Sequence, residues 1–252
     1  MGKDKTRQLL VVLALLATLA VNMLANLLPL NGQNTGEISD RFDILFVPAG
    51  YVFSIWGLIY LLLFVYAVYQ ALPAQADSVP LRKTGYLFIF SCIFNIAWLF
   101  LWHYNYFEFT VVAMLLLLIS LILIYVRLGI GKGKPEKKMF WLVQLPFSIY
   151  LGWITVATVA NITQWLYYIN WSGWGIAPLT WFLIILGVAV VLAAINWLTR
   201  HDAAYQAVLA WAFAGIAVRW MNDPVVYIAS LAAAAAAGLL FVAAVMYRLR
   251  KT

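Results

Sequence analysis

Residues 109–126 read FTVVAMLLLLISLILIYV, and residues 127–138 read RLGIGKGKPEKK. The first stretch carries no charged residue over a length that suits a membrane-crossing helix, which needs roughly 17–25 apolar residues. The second carries Arg127, Lys132, Lys134, Lys137 and Lys138 among three glycines and Pro135, which break a helix and leave a solvated loop. Cytoplasmic loops retain Lys and Arg, so this boundary predicts both a span and its orientation. The basic loop can also attract anionic lipid headgroups.

Working outward, seven further apolar runs cover residues 9–28, 47–71, 85–102, 140–162, 176–198, 203–218 and 225–247. Threading all eight through a bilayer places fourteen of the sixteen basic residues on one side, with only Arg41 and Arg219 on the other. Five of the nine acids, Glu37, Asp40, Asp43, Glu108 and Asp223, fall on that other side. Both termini are therefore expected to be cytoplasmic, and the net charge of +7 reads as a topology signal rather than a nucleic-acid footprint. Run 203–218 is short and Ala-rich. If it failed to span, Arg248, Arg250 and Lys251 would move to the wrong face, so the charge pattern favours eight spans.

The chain has 252 residues, 66% hydrophobic and 10% charged. Soluble domains carry about 25% charged residues, so the expected class is all-α: a polytopic membrane helix bundle in contact with the lipid bilayer. The first run exceeds the roughly 7–15 apolar residues of a signal peptide and lacks a small-residue cleavage site, so it reads as an uncleaved helix. Cys92 is the single cysteine, which excludes intrachain disulfides and cysteine metal clusters.

The polar residues inside the runs fall on helical faces. Thr18, Asn22 and Asn26 recur in the first helix; Ser91, Asn95, Trp98 and Trp102 in the third; Gln144, Ser148, Gly152 and Thr155 in the fifth. Such stripes should face the bundle interior, either as interhelical hydrogen-bonding glue or as the walls of an aromatic-lined cavity. No Asp, Glu, Lys or Arg lies near the middle of a span, which counts against an ion-coupled transporter. His103 and His201 could each ligate haem iron, but they fall at opposite membrane faces and cannot form one bis-histidine site, and each reads as interfacial or solvated. No hydrolase, kinase or metalloenzyme motif is present. The uncharged segment 163–177 holds Trp165, Tyr167, Tyr168, Trp171 and Trp174 and reads as an interfacial anchor or as a lid. The seventh helix carries small residues at Ala203, Ala207, Ala210, Ala214 and Ala217, so it should pack closely on the eighth or on a second subunit, which would make a homodimer.

Three segments carry a family resemblance: Pro48-Ala-Gly-Tyr-Val-Phe-Ser-Ile-Trp56 with Tyr60, then Asn95-Ile-Ala-Trp98, then Trp153-Ile-Thr-Val-Ala157 with Asn161. In this order, on the second, third and fifth helices, they resemble the tryptophan-rich sensory protein family, also called the translocator protein or peripheral benzodiazepine receptor family. The resemblance covers residues 8–165, a five-helix core, and leaves residues 166–252 as an outer aromatic segment with three additional helices. Segment 38–46 lacks the family's Trp-Tyr element, and segment 163–177 lacks the basic residue of its sterol-recognition pattern.

The resemblance implies a pocket between the first, second, third and fifth helices for a flat hydrophobic ligand, a porphyrin or haem-like tetrapyrrole, with no cofactor required. Trp56, Asn95, Trp98, Trp153, Thr155 and Ala157 would line it, with Trp56 and Trp153 stacking on the ligand and Asn95 hydrogen-bonding it. It implies a receptor or sensor in a bacterial cytoplasmic membrane. Any chemistry would be light-dependent oxidation of the bound porphyrin. A transporter or permease component for a small amphiphile, or a structural partner of another membrane complex, is the alternative.

Overall fold

The computed structural model describes residues 3–28 and 30–250, without the side chains of Lys3 and Asn26; the Asn26 position of the first-helix stripe therefore lies outside the described residues. These residues form an all-helical bundle. Its long helices are α1 (Lys3–Leu27), α2 (Ile55–Ala71), α3 (Val79–His103), α4 (Phe107–Arg127), α5 (Leu145–Tyr168), α6 (Pro178–Arg200), α7 (Ala203–Arg219) and α8 (Pro224–Arg250). Seven of the segments are long and apolar enough to cross a membrane, and α7 is the shorter apolar eighth. The chain is a multi-pass membrane protein.

Contacts at the two ends of the bundle follow the alternating threading. At one end, Arg82 pairs with Asp4 at 2.7 Å and also with Asp77, Arg127 Nη1 donates to the Lys83 carbonyl at 2.9 Å, and Arg248 stacks over Phe140 at 5.0 Å. Arg200 lies over the Tyr125 ring at this same end. At the other end, Asn31 donates to the His103 carbonyl at 2.9 Å and Arg219 pairs with Asp40 at 2.9 Å. The basic segments thus gather at one end, called inner below.

The helix ends are longer or later than the apolar runs suggest. α3 begins at Val79, with Pro80 in its first turn, where a missing N–H costs nothing. Arg82 and Lys83 therefore sit within the helix rather than in a loop. α5 continues through Tyr168 and absorbs the first part of the aromatic segment. Before it, Phe140–Gln144 forms a π turn in which the Leu145 N–H reaches back to the Phe140 carbonyl. Pro146 supplies no N–H and crowds the preceding turn, so the helix widens there rather than breaking.

α7 packs closely on α5. Gly152 of α5 approaches Val208 so closely that an added Cβ would lie 3.0 Å from the Val208 Cβ. Tyr205 donates to the Thr155 hydroxyl at 3.3 Å. Asp202, 2% exposed, caps α7 by accepting from the Ala204 N–H at 3.2 Å, and it accepts from Tyr125 at 2.8 Å and from Ser148. Gly131, at φ +78°, touches the α6 terminus, where a Cβ would strike the Arg200 carbonyl at 2.1 Å.

Candidate functional site

A cavity of about 830 Å3 lies in the outer half of the bundle between α1, α2 and α3. Its α1 wall comprises Leu16, Leu19, Ala20, Asn22 and Met23; its α2 wall comprises Trp56 and Tyr60, with Gly50 and Phe53 of the turn that leads into α2; Trp98 and Leu99 of α3 form the floor. At the inner end α1 and α2 are tied together. Gln8 donates to the Gln70 carbonyl at 2.6 Å, and Gln70 donates back to the Gln8 carbonyl at 3.1 Å. Further out the wall residues Leu16 and Met23 stay 48% and 60% exposed. The space is therefore a cleft whose α1 wall is partly exposed on the side of the bundle, within the span.

A roof closes its outer end. Asn34 and Glu37 form a reciprocal cap, each backbone N–H bonded to the other side chain at 2.9 Å, and start the short helix Thr35–Asp40. Trp102 Nε1 donates to the Thr35 carbonyl at 3.3 Å and holds this helix down. Asn34, Thr35, Gly36 and Asp40 all line the cleft.

The aromatic groups are arranged in two connected sets. Trp56 stacks on Tyr60 with centroids 5.3 Å apart and meets Trp153 edge-on at 6.2 Å; Phe53 meets Trp153 edge-on at 5.7 Å. Trp98 stacks on Trp102 at 5.1 Å. A smaller space of about 60 Å3 lies behind them against α5, lined by Trp56, Trp98, Trp153 and Ala157 among others.

Four of the six expected site residues, Trp56, Trp98, Trp153 and Ala157, are thus brought together around one continuous region. Trp56 and Trp98 line both spaces. Asn95 stands one layer back: its carbonyl accepts from Asn22 Nδ2 at 2.9 Å, and its amide faces the Tyr150 hydroxyl at 3.4 Å. Asn22 is the amide of α1 that lines the cleft. Thr155 points elsewhere, bonding its hydroxyl to the Leu151 carbonyl at 2.8 Å and accepting from Tyr205 of α7.

The fifth-helix stripe Gln144, Ser148, Gly152 and Thr155 is accordingly glue. Gln144 donates to the Leu128 carbonyl at 3.0 Å, Ser148 donates to Asp202, and Gly152 and Thr155 meet α7. His103 is buried rather than solvated, with Nδ1 2.8 Å from the Leu99 carbonyl. His201 sits at the inner end against the Tyr247 ring.

The motif reading missed Asn22 as a lining residue and the whole roof. The Asn34-x-x-Glu37 spacing is a capping signal that marks the roof helix in sequence. Asn161 also has a place: it accepts from Trp98 Nε1 at 3.2 Å and donates to Thr110 at 2.9 Å, fixing the indole at the cleft floor. Among the described residues no cluster of His, Cys, Asp or Glu could hold a metal ion.

The TSPO-like protein family model matches residues 8–246. The chain belongs to that family. The match runs past residue 165 through the three helices that the motifs alone left unmatched. No curated protein and no solved structure matches the chain.

Proposed function

We propose that this member of the family is a membrane receptor or sensor that binds a flat, hydrophobic, porphyrin-like ligand in the cleft between α1, α2 and α3. The observation that carries the reading is the cleft itself: about 830 Å3, walled by Phe53, Trp56, Tyr60 and Trp98, with the amides of Asn22 and Asn34 among its few polar groups. Small-molecule sites have this size and this mixture of apolar wall and few polar handles. Indole faces stack on conjugated rings. A side opening past the exposed α1 wall would admit a ligand dissolved in the lipid. Asn95 acts through Asn22, whose amide it holds. Trp153 supports Trp56 from behind.

The proposed orientation puts both termini in the cytoplasm of a bacterial cell, on the side where the basic residues gather. Acid–base chemistry has no constellation to support it. Light-dependent oxidation of a bound porphyrin would need dioxygen as the electron acceptor, and the tryptophan walls would act there as quenchers of the excited ring. A permease role for a small amphiphile is the second reading, favoured by the same side opening.

Titration of detergent-purified protein with protoporphyrin IX, followed by tryptophan quenching and Soret absorbance, tests the proposal. Saturable binding near one per chain supports it. Weak, non-saturating quenching overturns it, and ligand-dependent flux in sealed vesicles then tests the permease reading.

A further inference from the structure

α7 stands outside the cleft, yet its outer half grips the turn that leads into α2 and the roof above the cleft. Four contacts do this. The Ala49 N–H donates to the Gly215 carbonyl at 3.0 Å. Trp211 Nε1 donates to the Val52 carbonyl at 3.2 Å, while its ring meets Tyr51 edge-on at 5.4 Å. Arg219 pairs with Asp40, a roof residue, at 2.9 Å.

Gly215 makes the approach possible. A Cβ added there would lie 2.2 Å from Val52 Cγ2 and 3.1 Å from Pro48 Cβ, neither of which is the end of a flexible chain. Within the turn Gly50–Ser54 and the residue before it, Ala49, Tyr51 and Val52 meet α7, whereas Gly50 and Phe53 line the cleft. The turn is therefore a thin partition, with α7 on one side and the ligand space on the other. Any push from α7 moves Phe53, and Trp56 one helical turn later, into the cleft.

We infer that Gly215, Trp211 and Arg219 are positioning residues of the ligand site, which sets the width of the cleft from outside the five-helix core. This gives the additional helices a role in recognition. It rests on the cleft being the binding site, and two readouts separate the two claims.

The test compares Gly215→Ala with Gly152→Ala. The second substitution also crowds α7, from α5 at Val208, but touches no residue of the turn. The first readout is protoporphyrin IX affinity. Gly215→Ala should weaken it about tenfold and Gly152→Ala less than about twofold, even at matched loss of thermal stability. The second readout needs no ligand. With Cys92→Ser as background and Ala20→Cys on the cleft wall, Gly215→Ala should slow alkylation by a small maleimide, and Gly152→Ala should leave the rate unchanged. Arg219→Ala should weaken binding about threefold, the size expected for losing an exposed ion pair, and Arg219→Lys should restore it.

Slowed alkylation without porphyrin binding would support the positioning role and discard the porphyrin. Equal effects of the two glycine variants on affinity, or an alkylation rate indifferent to Gly215→Ala, would overturn the inference.

Discussion

At the residue scale, the cleft depends on side chains that hold one another as much as on those facing the ligand space. Trp98 is fixed by Asn161, and Asn22 by Asn95. Trp56→Phe removes part of an aromatic face at the cleft wall. We expect it to weaken porphyrin binding about five- to tenfold, the scale of one aromatic contact, in the quenching titration. Asn95→Ala removes one acceptor of the Asn22 amide, which keeps its bond to the Thr18 carbonyl at 2.9 Å, and should weaken binding about threefold while the bundle stays folded. Thr155→Val should leave affinity unchanged, because its hydroxyl lies against α7. The sequence made Trp56, Trp98, Trp153 and Ala157 legible through their motifs. It could not separate Thr155 from them. Helical period defines the faces of α5, but which face is left for the smaller space behind the cleft is decided by α7, a partner that local spacing does not reveal.

At the element scale, the helices were legible because the bilayer leaves little choice: uncharged runs of sufficient length must be helices with their backbone groups satisfied internally. The ends were less legible. Arg82 and Lys83 could be helical only because Asp4, Asp77 and the Arg127 contact receive the inner end of α3. The buried carboxylate of Asp202 had no signal either, since a loop Asp normally reads as solvated. It caps α7 and accepts from Tyr125 and Ser148 of two core helices, so it joins the added helices to the core. Asp202→Ala strands these donors and should destabilise the protein by about 3 kcal/mol, read as a lowered melting midpoint in detergent. Porphyrin affinity of the folded fraction should hold, because this joint lies at the inner end and the cleft in the outer half.

At the scale of the whole molecule, the alternation of charge between loops describes one object with a basic inner end and an acidic outer end. The topology has a direct check. In a Cys92→Ser background, an impermeant maleimide added to intact cells should label Met221→Cys, in the α7–α8 turn, and reach Lys132→Cys only after permeabilisation. The reverse pattern would invert the molecule. The cleft opens sideways in its outer half, and the aromatic cluster of Trp171, Trp174 and Trp181 lies at that same outer level, with Trp174 77% exposed. That exposure fits an interfacial anchor beside the bundle, and it offers a competing surface on which a flat ring could stack.

The most direct measurement is therefore an experimental structure of the protein saturated with protoporphyrin IX. The account predicts one ordered macrocycle between α1 and α2, with Trp56 and Trp98 against it and its edge near Asn22. A macrocycle resting on Trp171, Trp174 and Trp181, with the cleft unchanged, would contradict it.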